Sequence, residues 1–232
     1  MKAIILAAGR SSRLYPITLE RPKCLLEIGG KIIIDRQIDA IREIGIHDVL
    51  VVVGYKGNLI LDELGDRVRY REYNDYNKTN NLHTLWNVKD ELNEDFICLF
   101  SDVLFDPIIL KKAKESLEDF CMMIDTSQVL TDTMRVKLEY EKLTSIGSHI
   151  SVDEGSGNFI GIAKFSKIGA RKLYNQMEKL ILDHKNDYYT IAIDTLAKEG
   201  AQIGYIDVKG KKWAEIDTKA DLDNANEYYN NI

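Results

Sequence analysis

Four short runs rich in Ile, Val, Leu and Phe, at residues 2–7, 48–53, 95–101 and 119–125, constrain this chain more than any other feature. Each has the length of a strand and none alternates cleanly with polar residues, so both faces of each strand must be covered. Between the first two, Ile34, Ile38 and Ile41 recur at i, i+4 and i+7, which predicts a helix that stops at Gly45. A second helix is predicted over 56–64, ended by Gly65. Leu82, Leu85 and Trp86, with Leu92 further on, predict a helix from near Asn81, and Pro107 opens the next. Apolar runs alternating with helical stretches are the pattern of β-α-β units around a mostly parallel sheet, an α/β fold.

After Asp125 the pattern changes. Short strands are predicted over 135–140 and 159–165, flanking a Gly/Ser-rich connection from Gly147 to Gly157, and read as a small β-rich lobe inserted on the sheet. Helices over 167–182 and 189–198, a strand over 202–208 and a helix from Thr218 follow. No repeat, low-complexity linker or clear boundary divides the 232 residues, so a single domain over 1–232 is expected.

The loop that leaves the first strand carries the most information. Ala7, Ala8, Gly9, Ser11 and Ser12 are small enough for the backbone to approach a phosphate chain and turn its N–H groups towards it. In open α/β sheets ligands bind beyond the carboxyl ends of the strands, where this loop lies. Arg13 would add a planar fork for two phosphate oxygens and Lys23 a point charge. A surface turn with solvated Arg and Lys is the alternative. The spacing is neither that of a P-loop nor the G-x-G-x-x-G of dinucleotide folds, which argues against nicotinamide chemistry.

From Leu6 to Lys23 the chain reads L-A-A-G-x-x-x-R-L-x-P-x-T-x-x-x-P-K. This resembles the signature of the sugar-phosphate nucleotidyltransferases, and most clearly their short, LicC-like cytidylyltransferase branch, which acts on phosphocholine, aminoethylphosphonate and similar small phosphorylated acceptors. The resemblance extends through Val53-Gly54-Tyr55, Asn80-Asn81, Ser101-Asp102, Gly161 and Glu215-Ile216-Asp217. It implies a Rossmann-like nucleotidyltransferase fold with a nucleotide-binding core over 1–125, and an acceptor-binding lobe plus a C-terminal metal-ligand segment over 126–232. It also implies Mg²⁺ as cofactor, a nucleoside triphosphate (CTP favoured) and a phosphorylated acceptor as substrates, and release of pyrophosphate.

Residue by residue, the resemblance gives Lys23 and Arg13 the catalytic charges and makes Asp102 and Asp217 the metal ligands. It puts Leu6, Ala7, Ala8, Gly9, Arg10, Ser11, Ser12, Arg13, Gly54, Tyr55, Asn81 and Ser101 around the nucleotide. Lys23, Gly161, Asp187, Tyr188, Tyr189, Trp213 and Glu215 would meet the acceptor, where aromatic faces and a carboxylate suit an ammonium group. Each has a plainer reading. Asp217 could cap the helix before Thr218 and Asn80 the helix before Asn81, Tyr188, Tyr189 and Trp213 could be packing residues, and Gly161 could mark a bulge. Ser11 stands where many relatives have glycine, Ser101 where the sugar enzymes have glycine, and Gly147-Ser148 where some have Gly-Lys.

One physical point agrees with such a reaction. A phosphate monoester, with a second pKa of about 6, is already largely dianionic and attacks phosphorus without a general base. No convincing Ser-His-Asp set stands out, since His47, His83, His149 and His184 are scattered. The competing readings are a sugar-1-phosphate nucleotidyltransferase using UTP, dTTP or GTP, and a non-catalytic nucleotide-binding regulator. The latter would be marked by loss of Lys23, Asp102 or Asp217, all of which are present.

A formal net charge of −6 argues against a general nucleic-acid or membrane-surface binder. Its distribution is telling: residues 10–23 hold Arg10, Arg13, Arg21 and Lys23 against Glu20, whereas residues 215–227 hold Glu215, Asp217, Asp221, Asp223 and Glu227 against Lys219. Cys24, Cys98 and Cys121 form no ligand motif or disulfide framework, and no apolar run reaches membrane-spanning length, so a cytoplasmic enzyme making a CDP-linked precursor for cell-surface polysaccharide or lipid is expected.

Overall fold

Lys2–Ala7 (β1) is buried at every position. Its faces divide between two apolar layers: Ile4 and Leu6 join Leu82, Leu85, Leu173 and Ile193, whereas Ala3, Ile5 and Ala7 join Ile34, Ile38, Ile60 and Leu110. The computed structural model, which describes residues 1–230, is thus a sheet between two helical layers.

Glu27–Ile28 (β2) and Lys31–Ile32 (β3) form a hairpin ahead of helix Ile33–Glu43 (α1). Val49–Val53 (β4) pairs parallel with β1. Helix Gly57–Leu64 (α2) then leads to Arg69–Glu72 (β5), parallel to β4. Helix Asn81–Trp86 (α3) precedes Phe96–Phe100 (β6), parallel to β1 on its other side. Val103–Phe105 (β7), helix Ile108–Glu115 (α4) and Phe120–Asp125 (β8) follow, then the hairpin Arg135–Glu139 (β9) and Lys142–Gly147 (β10). Gly157–Phe165 (β11) is antiparallel to β6, β8 and β9. Helices Lys167–Leu180 (α5) and Thr190–Lys198 (α6) come next. Gly204–Asp207 (β12) is parallel to β8, Trp213–Glu215 (β13) is antiparallel to β7, and Lys219–Asn230 (α7) lies beyond.

The nine-stranded sheet has the order β10-β9-β11-β6-β1-β4-β5, with β8 and β12 beyond β11. Only β10 and β11 oppose the other strands, so the sheet is mostly parallel, as the apolar runs require. The β-rich stretch is built onto the central sheet itself. β11 lies beside β6 in the middle of the sheet, and its register with β6 carries residues 157–160 past the end of β6, where β9 pairs onto it and β10 onto β9. An extra antiparallel strand costs no interface of its own when it extends an existing ladder, so the segment adds to the sheet. Among the described residues, no helix is long and apolar enough to cross a membrane.

Candidate active site

β1, β4 and β6 run in one direction, so the loop after β1, Gly54 after β4 and Ser101-Asp102 after β6 emerge at one edge of the sheet. Gly54 is there for close approach: a Cβ would stand 2.8 Å from the Ala8 carbonyl oxygen and 2.8 Å from Tyr76 Cδ1. Tyr55 N–H donates to Ala8 O (3.1 Å) and its hydroxyl donates to Thr18 O (3.0 Å), tying both ends of the loop to β4. Ser11 takes a left-handed conformation (φ 52°), and Thr18 Oγ1 donates to its carbonyl (2.9 Å). Gly54 and Tyr55 therefore shape the loop from behind, and neither they nor Arg10 and Ser12 line its cavity.

That cavity, of about 180 Å³, is lined by Leu6, Ala7, Ala8, Gly9, Ser11, Arg13, Lys23, Asn81, Ser101, Asp102, Tyr188, Glu215 and Asp217, together with Pro22, Cys24, Tyr76, Thr79, Asn80, Thr84 and Phe100. Arg13, Glu215 and Asp217 also line a second cavity of about 880 Å³, which extends to Trp213, Asp125, Asp132, Lys211 and Asp221. One small chamber and one larger groove thus share a wall of charged side chains.

The wall is assembled by a small ladder. β7 and β13 set Val103 opposite Glu215, and Ile216 N–H donates to Asp102 O (3.0 Å). Lys23, 7% exposed, bridges the two ends: its Nζ is 2.6 Å from Asp102 Oδ2 and 2.7 Å from Asp217 Oδ1. Arg13 Nη2 is 2.8 Å from Asp217 Oδ2. Burial alone would lower the Lys23 pKa, but the charges of Asp102 and Asp217 and their hydrogen bonds raise it, so it stays an ammonium. Burial, then the charges of Asp102 and Asp217, push the Glu215 carboxyl well above its usual range, only partly offset by Lys23 and Arg13. Burial pushes the neighbouring Cys24 thiol up to about 12, which removes it as a nucleophile.

Asp102, Glu215 and Asp217 bring oxygens within 4.8 Å of one another, and Asp102 Oδ1 is buried without a hydrogen-bond partner. Hard divalent cations take oxygen ligands, and an orphaned buried carboxylate oxygen among three carboxylates fits that chemistry. Glu215 as a member of this set was missed in the sequence. The signal was there: Glu215 and Asp217 are two residues apart, which puts them on one face of an extended segment.

The other expected residues sort cleanly. Asp217 does not cap α7. Thr218 does, with Asp221 Oδ2 accepting from Thr218 N (2.7 Å) and Asp221 N donating to Thr218 Oγ1 (3.2 Å) in a capping box that leaves the Asp217 carboxylate to the site. Asn80 Oδ1 accepts from Asn81 N (2.8 Å), and Asn81 Oδ1 accepts from Tyr189 N (2.8 Å), which commits the carbonyl half of the Asn81 amide to holding α6. Trp213 lines the larger cavity, with Nε1 donating to Asp125 Oδ2 (2.7 Å).

Three expected acceptor residues lie outside the lining of both cavities. Tyr189 is fully buried, its ring edge-on to Phe100, Phe159 and Phe165, because the first turn of α6 packs into the sheet; Tyr188 beside it takes the cavity-facing place. Asp187 is half-buried and lies outside both cavities, with its carboxylate 2.7 Å from His184 Nδ1. Gly161 (φ +76°) marks the register shift of β11, and a Cβ there would meet Val103 Cγ2 at 2.9 Å and Phe100 Cδ2 at 3.0 Å. It serves the bend.

Elsewhere, Ser145, His149 and Asp194 come together without forming a catalytic triad. Ser145 Oγ donates directly to Asp194 Oδ1 (2.5 Å), and the His149 nitrogen near the serine (3.2 Å) is the same one near the acid (3.7 Å). The acid does not hold the opposite ring nitrogen, as a general base would require.

Residues 3–123 match the MobA-like NTP transferase domain. The chain is 30% identical over 249 residues to the CTP:phosphoglutamine cytidylyltransferase of Campylobacter jejuni subsp. jejuni, covering 96% of this chain and 98% of the relative. It is 31% identical over 131 residues to the UTP–glucose-1-phosphate uridylyltransferase AglF of Haloferax volcanii, covering 54% of each. The structure of the CTP:phosphocholine cytidylyltransferase from Streptococcus pneumoniae superposes with a TM-score of 0.84 at 25% identity, covering 98% of both chains. A loop of small residues backed by Lys23 and Arg13, facing three carboxylates across the edge of a mostly parallel sheet, agrees with this match, and the chain belongs to the MobA-like NTP transferase family and is a nucleotidyltransferase.

Proposed function

We propose that the protein transfers CMP from CTP to a phosphorylated small molecule and releases pyrophosphate. The observation that carries this reading is the shared wall: Lys23 and Arg13 reach Asp102 and Asp217 at the junction of a small and a large cavity. The smaller chamber suits a pyrimidine nucleotide and the larger an acceptor. The C. jejuni relative at 30% identity supports CTP as the donor.

The acceptor phosphate oxygen attacks the α-phosphorus of CTP, a new P–O bond forms, and the bond to the β-phosphate oxygen breaks with its electron pair leaving on pyrophosphate. No proton has to be removed, because the phosphate is already dianionic at neutral pH. The work is positioning and charge neutralisation. Arg13 holds the β- and γ-phosphates and Lys23 turns from the carboxylates to the α-phosphate and the incoming phosphate. N–H groups of Ala8, Gly9 and Ser11 cradle the chain. Nucleotidyltransferases of this family generally use a divalent metal. Mg²⁺ would be held by Asp102 and Asp217 with Glu215 beside them, supplying charge neutralisation at the phosphates. In the larger cavity, the Trp213 face and the Glu215 carboxyl favour an acceptor with an ammonium group, as in phosphocholine, aminoethylphosphonate or a phosphorylated amino acid. The product would be a CDP-linked precursor, made in the cytoplasm without nucleic-acid or membrane partners.

The second reading, a sugar-1-phosphate nucleotidyltransferase, is favoured by the match to the H. volcanii uridylyltransferase. A pyrophosphate-release screen separates the two: CTP, UTP, dTTP and GTP, each with Mg²⁺, against phosphocholine, aminoethylphosphonate, phosphoglutamine, phosphorylated polyols and hexose-1-phosphates. Release with CTP and a small non-sugar acceptor is expected. Release only with a hexose-1-phosphate would overturn the reading.

A further inference from the structure

Gln37 is an anomaly on the buried face of α1. Its neighbours there are Ile33, Ile34, Ile38 and Ile41, and it is itself 1% exposed. A buried amide is costly unless it is hydrogen-bonded. Its Nε2 donates to Phe100 O (2.9 Å) and to Val103 O (2.8 Å). Those carbonyls bracket Ser101-Asp102, the turn between β6 and β7 that presents the Asp102 carboxylate. One amide thus spans the turn from both sides, and Ile216 N–H holds the Asp102 carbonyl between them (3.0 Å).

We propose that Gln37 is a positioning residue that acts through Asp102: by clamping Phe100 O and Val103 O it fixes the Asp102 carboxylate towards Asp217, and so sets the affinity of the carboxylate set for its divalent cation. Gln37 does not line either substrate cavity. Removing its N–H groups leaves two buried carbonyls without that donor, and the turn relaxes to satisfy them, carrying the carboxylate with it. Partners of this kind, which orient a ligand without touching the metal, typically cost about 10–100-fold in metal affinity when lost.

The inference rests on the carboxylate set holding a divalent cation, and the experiment separates the two. Mn²⁺ is titrated against the wild type, Asp102→Asn, Gln37→Met and Gln37→Glu, read by electron paramagnetic resonance and by the Mn²⁺-induced rise in Tm. Gln37→Met keeps the length and apolar contact of the side chain, and Gln37→Glu keeps its shape. Mn²⁺ is expected to bind the wild type, to be lost in Asp102→Asn, and to bind each folded Gln37 variant about tenfold or more weakly. Turnover by these variants at saturating Mn²⁺ is expected to return towards wild type, because no group touching substrate has changed. A folded Gln37→Met with wild-type Mn²⁺ affinity overturns the role of Gln37 alone. A wild type that binds no Mn²⁺ overturns the cation site and the proposal with it. If neither variant folds, Gln37 is a packing residue and the proposal fails.

Discussion

Lys23 Nζ and Asp217 Oδ1 lie 2.7 Å apart although 194 positions separate them in the chain. The contact is made possible by a small apolar cluster in which Leu14, Leu26 and Ile33 pack with Ile216, Leu222 and Ala225. The cationic loop and the acidic C-terminal segment are thereby joined as one surface. Lys23 is the counter-ion that offsets the repulsion between the Asp102 and Asp217 carboxylates it bridges.

Replacing Lys23 by Met should reduce turnover by about two to three orders of magnitude, the cost of losing a charge that meets developing phosphate charge. Circular dichroism should show the same fold. Without divalent metal the variant should be destabilised by about 3 kcal/mol, because buried carboxylates are left without their partner. Steady-state kinetics and urea denaturation in EDTA check the two effects separately, and near-normal turnover would remove Lys23 from the catalytic charges.

The larger cavity predicts a contrast between two aromatic residues. Trp213→Ala should raise the acceptor KM about tenfold or more with little change in the CTP KM, in keeping with loss of an aromatic face over a cation. Tyr189→Phe should leave both KM values within twofold, because the Tyr189 side chain lies in the core and its hydroxyl faces Cys98. A raised acceptor KM in Tyr189→Phe would restore that tyrosine to the acceptor site.

Much of this organisation was legible in the sequence, and the exceptions have physical causes. The strands with two buried faces were visible as apolar runs, since nothing but burial explains five or six consecutive apolar residues. β7 and β13 were not, since each pairs over three residues and takes its meaning from a partner about a hundred positions away. That ladder is what adds Glu215 to Asp102 and Asp217. Tyr188 and Tyr189 are adjacent and chemically alike, so only the direction in which α6 starts decides which faces the cavity. Asp217 also had a plainer reading as a helix cap, a role that Thr218 and Asp221 take instead.

Gly161 should not tolerate a side chain. With φ +76° and a Cβ position 2.9 Å from Val103 Cγ2, Gly161→Ala should cost about 2–3 kcal/mol in urea denaturation, through backbone strain and overpacking together. The acceptor KM of the folded protein should be unchanged. A stable Ala variant with a raised acceptor KM would point to a ligand contact instead.

Stability should also depend on pH through the base of the sheet. Hydrogen bonds from Arg69 and Lys2 hold the Glu91 carboxyl down at about 2, so its contribution is complete above the ordinary Glu value and is lost as pH falls through the native value. Glu91→Gln should lower stability at pH 7 by about 1–2 kcal/mol, allowing for partial solvent screening, and should flatten the fall in stability between pH ~4.5 and ~2. Urea midpoints across that range check the sign: an unchanged acid limb in the variant would exclude Glu91 as its source.

The central claim is that the wall of Lys23, Arg13, Asp102 and Asp217 joins the α-phosphorus of CTP to an acceptor phosphate. ³¹P NMR of the wild type with CTP, Mg²⁺ and the acceptor that gives the most pyrophosphate release tests it directly. A pair of coupled diphosphate doublets is expected to appear in step with pyrophosphate, and neither signal in Asp102→Asn or Asp217→Asn. Free CMP with no coupled diphosphate, or the same product formed at wild-type rate by Asp217→Asn, would contradict it.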